Sequence, residues 1–176
     1  GDFSLLQEYG EMLGFGVEEI PAQMIDEVNV SSTKIRKALE KGDLATANSY
    51  LGYNYPLTGI VIEGDRLGRT IGFPTANLAI SHPHKLIPAK GVYAVRVEID
   101  KKWYNAMLNI GNRPTVKDAG ELRIEVHILN IEMNLYGKEL KIEMLDWIRG
   151  EKRFENLDKL TEQLELDRKE VIRRIS

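Results

Sequence analysis

The 176-residue chain contains no cysteine. Disulfides, thiolate catalysis and sulfur-built zinc sites are therefore excluded, and a reducing compartment fits. Aromatic residues make up only 7%, and Trp103 and Tyr104 alone do not form the interleaved aromatic and basic platform that single-stranded nucleic acid requires. An excess of positive charge is also missing: 24 Lys and Arg stand against 27 Asp and Glu, a formal net charge of −3. Broad nucleic-acid binding is thereby disfavoured, whereas a small phosphorylated ligand needs only a local cluster. No apolar run approaches the roughly twenty residues of a membrane span, and the N-terminus has no signal-peptide pattern, so a cytoplasmic protein without a membrane partner is expected. What is present is ordinary for a globular chain, with 43% hydrophobic and 29% charged residues supporting a core and a solvated surface. The length suits one domain and a fragment of another.

Hydrophobic periodicity divides the chain near residues 52–57. Before it, Leu5, Leu6, Tyr9, Met12 and Leu13 follow helical spacing up to Gly14, and brief extended segments are expected at 17–21 and 27–30. Ile35 and Leu39 share a helix face ended by Gly42, and Asp43 can cap a further helix that Gly52 stops. After it, alternation takes over. Strands are expected at 58–63, 75–80, 91–100, 103–110, 122–129 and 140–144, with Lys101-Lys102 as a hairpin turn. Short strands joined by turns predict a closed or nearly closed antiparallel barrel, which removes exposed edges. Leu157, Leu160, Leu164, Val171 and Ile175 then predict helix across it, with Asn156 as a cap and Arg168, Lys169, Arg173 and Arg174 on a solvated face.

Three stretches carry candidate chemistry. In the loop at 64–77, Gly64, Gly68 and Gly72 permit positive φ and close approach to a ligand, while Arg69 adds charge and Thr75 and Asn77 add oxygens. That is a polyphosphate cradle in composition, and equally a glycine-rich turn between strands. Ser31, Ser32 and Thr33, with Arg36 a turn later, read first as a helix cap and second as an anion site. Glu125 alternates with the apolar set Leu122, Ile124, Val126 and Ile128, so it projects away from the core between Arg123 and His127. Alone it reads as a solvated carboxylate.

Taken together, the motifs Gly64-x-x-x-Gly68-Arg69-x-x-Gly72-Phe73-Pro74-Thr75-Ala76-Asn77, Pro88-Ala89-x-Gly91-Val92-Tyr93-Ala94, Asn109-Ile110-Gly111-x-x-Pro114-Thr115, Glu125-x-His127, Leu135-Tyr136-Gly137 and Arg149 resemble the riboflavin kinase domain in order and spacing. The whole chain resembles the C-terminal part of the bifunctional bacterial riboflavin kinase/FMN adenylyltransferases, the FAD synthetases. The resemblance implies a mainly β fold: a Greek-key six-stranded barrel with a C-terminal helix over residues 53–176, preceded at 1–52 by a small α/β nucleotidyltransferase fragment and linker helix. It departs from the family at Asn134 and Ile131, where an aspartate and a phenylalanine are common.

The resemblance further implies the reaction and its parts. The γ-phosphate of Mg-ATP would pass to the ribityl 5′-hydroxyl of riboflavin, giving FMN and ADP. Gly64, Gly68, Arg69, Gly72, Phe73, Pro74 and Thr75 would bind ATP, with Arg69 alternatively fixing the loop through a salt bridge. Thr75 and Asn77 would hold Mg²⁺, Glu125 would be the base, and Tyr136 and Arg149 would approach the flavin. Ser31, Ser32, Thr33 and Arg36 match the late phosphate motif of the adenylyltransferase domain, whose His-containing partner motif has no counterpart in residues 1–30; His82 and His84 do not supply it. A chain beginning inside that domain and unable to make FAD is expected. The expected partners are small-molecule substrates, with no nucleic acid, and a monomer is the working expectation. A non-catalytic flavin- or nucleotide-binding barrel is the alternative.

Overall fold

The computed structural model describes residues 3–18, 24–25, 28–64, 67–112, 122–131 and 133–175. The chain forms two compact units, Gly1–Ser31 and Ser32–Ser176. The first holds helix α1 (Phe3–Leu13) and a two-stranded ribbon of β1 (Met24–Ile25) and β2 (Val28–Asn29). Val17 and Glu18 are irregular, and the remainder of the extended segment expected at 17–21 lies outside the described residues, as does Glu27.

The second unit opens with α2 (Ser32–Glu40) and α3 (Leu44–Leu51). The Asp43 side chain accepts from Thr46 N at 3.1 Å, and Gly52 ends α3 with a left-handed φ of 76°. Ala38, Leu39, Leu44 and Ala47 enter the main core. Asn48 ties α3 to the sheet, donating to Met144 O at 3.0 Å and accepting from Tyr55 N at 2.8 Å. The linker expected at 52–57 thus runs from α3 directly into the first barrel strand, and compactness divides the chain earlier, after Ser31.

Among the described residues, six strands close into a barrel in the order β3 (Tyr55–Ile62), β4 (Ala76–Ile80), β7 (Leu122–Ile128), β6 (Lys102–Asn112), β5 (Gly91–Ile99) and β8 (Glu139–Arg149). All neighbours are antiparallel. β5, β6 and β7 form a meander and β8 returns to lie beside β5, which is Greek-key connectivity. Every second residue points inward: Leu57 and Val61, then Tyr93, Val95 and Val97, then Leu108 and Ile110, then Ile124 and Val126, then Leu140, Ile142 and Met144 fill the interior. The β5–β6 turn is Asp100-Lys101, with φ of 49° and 64°, while Lys102 already pairs with Ile99. The expected Lys101-Lys102 turn is corrected by one residue. Two consecutive positive φ values match the right-handed twist of the flanking strands, and a strongly paired hairpin fixes that conformation without Gly.

A second apolar layer lies outside the barrel. Helix α5 (Leu157–Ile175), capped by Asn156 Oδ1 accepting from Lys159 N at 2.9 Å, lays Leu164, Val171 and Ile175 over Ala94, Met107, Ile148 and Phe73. Arg173 and Arg174 face solvent and pair with Glu170, and Arg174 also pairs with Asp146.

Candidate active site

The loop between β3 and β4 is held by close packing, and left-handed backbone accounts for little of it. It contains one short helical turn, α4 (Leu67–Thr70). Of the three glycines expected to supply positive φ, only Gly72 does, at 78°. Gly64 and Gly68 are needed for space: a Cβ on Gly64 would stand 1.9 Å from Asn77 Nδ2, and one on Gly68 would stand 2.1 Å from Phe73 O. The loop folds back onto its own Pro-Thr-Ala-Asn end, with Phe73 N donating to Gly68 O at 2.8 Å. Arg69 is exposed and pairs with no carboxylate among the described residues, so the salt bridge considered for it is not formed with any of them.

Strand register brings distant residues into one row around the barrel. Asn77 of β4 is the partner of Glu125 on β7, Glu125 of Asn109 on β6, Asn109 of Val92 on β5, and Val92 of Arg149 on β8. Directly opposite residues share a face, and this row lies on the outside. Val92, Asn109, Glu125 and Arg149 floor a cavity of about 310 Å³ whose apolar walls include Ile71, Phe73, Met107, Phe154, Leu160 and Leu164. Glu125 keeps 24% of its side chain exposed and lies 3.5 Å from Arg123 Nη1, its neighbour two residues along the strand.

A second cavity, of about 500 Å³, is lined by Arg69, Gly72, Pro74, Thr75, Met133, Asn134 and Tyr136 among others. Thr75 belongs to both walls. A third, of about 140 Å³, takes Asn77 with Glu63 and Arg123. The expected sites are therefore redistributed. Tyr136 and Arg149, grouped at one flavin site by resemblance, open into different cavities, because β7 and the Thr75 segment stand between them. Thr75 is exposed, whereas Asn77 is buried beneath Gly64 and opens elsewhere. Gly68 and Phe73 line the smaller cavity, and Arg69, Gly72 and Pro74 the larger. Ser31, Ser32, Thr33 and Arg36 line none of the three; they stand exposed at the start of α2.

Arg149 is anchored from the helix side. Its Nε and Nη2 donate to both oxygens of Asp167 at 2.8 and 2.6 Å, and its Nη1 donates to Gly150 O at 2.9 Å. Asp167 is 2% exposed and also accepts from Gln163 Nε2 at 2.9 Å. This bidentate pair fastens α5 to the end of β8 and fixes where Leu160 and Leu164 meet the cavity. Asp167, Leu160, Leu164 and Phe154 were not singled out as site residues. Leucines at i and i+4 signal a buried face, but nothing in the spacing says that the face borders a ligand cavity. Burial pushes the His127 imidazole below its ordinary value, partly offset by its bond to Pro74 O.

The closed Greek-key barrel thus carries an outer cleft floored by Glu125 and bordered by the glycine loop and α5. The riboflavin kinase (flavokinase) family model matches residues 51–175, and the chain belongs to that family. It is 42% identical over 168 residues to the bifunctional riboflavin kinase/FMN adenylyltransferase of Escherichia coli (strain K12), covering 95% of this chain and 53% of that protein. It is 44% identical over 149 residues to the protein of the same description from Bacillus subtilis (strain 168), covering 84% and 47%. The chain thus spans about half the length of the curated relatives it matches. Among solved structures it is similar to one described as a macrolide-efflux protein from Streptococcus pneumoniae, with a TM-score of 0.79, 38% identity, and coverage of 85% of this chain and 49% of that one. No helix among the described residues is long and apolar enough to cross a membrane.

Proposed function

We propose that the chain phosphorylates riboflavin at the ribityl 5′-hydroxyl, with flavin in the smaller, apolar cavity and the nucleotide phosphates in the larger one beside Arg69 and Gly72. The observation that carries this reading is that Thr75 belongs to the walls of both cavities while Glu125 floors the first. Phosphoryl transfer needs an acceptor and a donor brought together in line from two sides, with a base at the acceptor. Glu125 takes the hydroxyl proton as that oxygen bonds to the γ-phosphorus, and the bond to the β–γ bridging oxygen breaks to release ADP. Arg149, itself held by Asp167, orients the flavin end of the cavity, and Tyr136 flanks the nucleotide.

Thr75 and Asn77 are the residues that would hold Mg²⁺ on the resemblance; of the two, Thr75 borders both substrate cavities, whereas Asn77 is buried beneath Gly64 and opens into the third. A neutral oxygen donor such as Thr75 fits an ion that keeps several waters and takes other ligands from substrate phosphates, and when bound it would neutralise charge on the phosphate oxygens. The 1–52 segment, including the serines at 31 and 32, is assigned on resemblance to the adenylyltransferase part of the bifunctional relatives, and 53–176 to the kinase part.

The test is incubation of the chain with riboflavin and Mg-ATP, followed by chromatographic separation of riboflavin, FMN and FAD. FMN is the expected product. Flavin or nucleotide binding without any FMN would favour a non-catalytic barrel, and FAD as a further product would assign the second activity to these residues as well.

A further inference from the structure

The β4–β7 ladder is short. Among the described residues only Ala76↔Val126 and Asn77↔Glu125 pair, and the register would next bring residue 75 opposite residue 127. Pro74 has no N–H to continue a ladder. The His127 ring takes over that place: its Nδ1 lies 2.8 Å from Pro74 O, and because a carbonyl only accepts, Nδ1 carries the proton and donates. The ring is packed at 5.2 Å from the Phe73 ring, which restrains its orientation. His127 lines the smaller cavity and Pro74 the larger, so this hydrogen bond crosses the wall they share, one residue before Thr75.

From this geometry we infer that His127 is a positioning residue for nucleotide binding: through Nδ1 it holds the Pro74-Thr75 segment at a fixed distance from the strand that carries Glu125. The inference rests on the assignment of the nucleotide to the larger cavity. The imidazole transfers no proton in this role. It acts as a side-chain rung that replaces a missing backbone one.

The two amide residues separate the ring nitrogens. An Asn side chain can place its N–H where Nδ1 stands, whereas a Gln side chain reaches the position of Nε2. The experiment compares the chain with its H127N and H127Q variants in two readouts: Mg-ADP affinity by titration calorimetry without flavin, and steady-state FMN formation. H127N is expected to bind Mg-ADP within about two-fold of the unsubstituted chain, and H127Q to bind roughly ten-fold more weakly, the scale of one lost hydrogen bond. In turnover the H127Q defect is expected to fall on KM for Mg-ATP, with kcat and KM for riboflavin changed far less. Equal Mg-ADP affinity in all three proteins overturns the inference. So does the reverse order, with H127Q intact and H127N impaired, which would assign the role to Nε2. An unsubstituted chain that makes no FMN but shows the expected affinity order would sink the kinase reading and leave this one standing.

Discussion

Asn77 and Glu125 are directly opposite each other across the β4–β7 pair, so a proposed metal ligand and the proposed base share one rung of the barrel wall. Their side chains nonetheless open into different cavities, Glu125 with Thr75 and Asn77 with Glu63 and Arg123. The rung sets their spacing through backbone geometry, while Gly64 packs over Asn77 and Glu125 is left facing the first cavity.

Glu125→Gln keeps the shape of the side chain and removes its ability to accept a proton. Turnover is expected to fall by about 10²–10⁴-fold, the usual contribution of a positioned base. Mg-ADP affinity is expected to stay within about two-fold, since a single base contributes to the transition state more than to the ground state. FMN formation and calorimetric titration on the same preparation check both halves; normal turnover would remove Glu125 from the role.

Thr75→Val deletes one oxygen donor at nearly constant volume. The Mg²⁺ concentration giving half-maximal FMN formation is expected to rise on the order of ten-fold, because a hard cation loses a ligand that valine cannot replace. An unchanged Mg²⁺ titration would place the ion elsewhere.

Asp167→Asn leaves the Arg149 guanidinium in its largely buried position without its charge partner. Breaking such a pair from one side is expected to destabilise the fold by about 3–5 kcal/mol, whereas replacing both partners by apolar residues of similar size would cost much less. Urea unfolding of D167N against the double substitution R149M/D167L measures the difference, and equal midpoints would refute the clamp.

Alkaline stability is expected to hinge on buried phenols. Burial pushes the Tyr55 hydroxyl up to about 12, with Tyr53 adding in the same direction, and the group donates to Leu86 O at 2.8 Å. Burial raises Tyr93 in the same sense, and its hydroxyl donates to Ala89 O. The unfolded phenol titrates near ~10. A folded value above the unfolded one means a contribution that is intact below about pH 10 and lost as the pH rises through about 12. Urea midpoints taken from pH 9 to 12 are expected to fall more steeply for the unsubstituted chain than for Y55F.

The barrel was legible because its strands alternate cleanly: Tyr93, Val95 and Val97, and again Ile124, Val126 and Ile128, are buried as their spacing demands. The helix ends were legible at Asp43, Gly52 and Asn156, where local chemistry decides. Spacing could not show which side chains would meet. Tyr136 and Arg149 follow one another in the motif order yet open on opposite sides of a wall made by residues about ten to seventy positions away in sequence, a matter of closure and register that no local pattern encodes. Asp167 was invisible for a related reason. On a helix rich in charge, one carboxylate that turns inward looks like its exposed neighbours until its partner on β8 is known.

Because β8 pairs on one side with β5 and on the other with β3, it is the stave that closes the barrel. During synthesis, β3 and β5 both present unpaired edges until residue 149 has left the ribosome, and the cavity lacks its helical wall until α5 follows. The long-range β3–β8 contact is also the most costly in loop entropy, so it is expected late in folding. A ribosome stalled before β8 would hold a chain with most of its candidate catalytic residues already made and no enclosed site in which to use them.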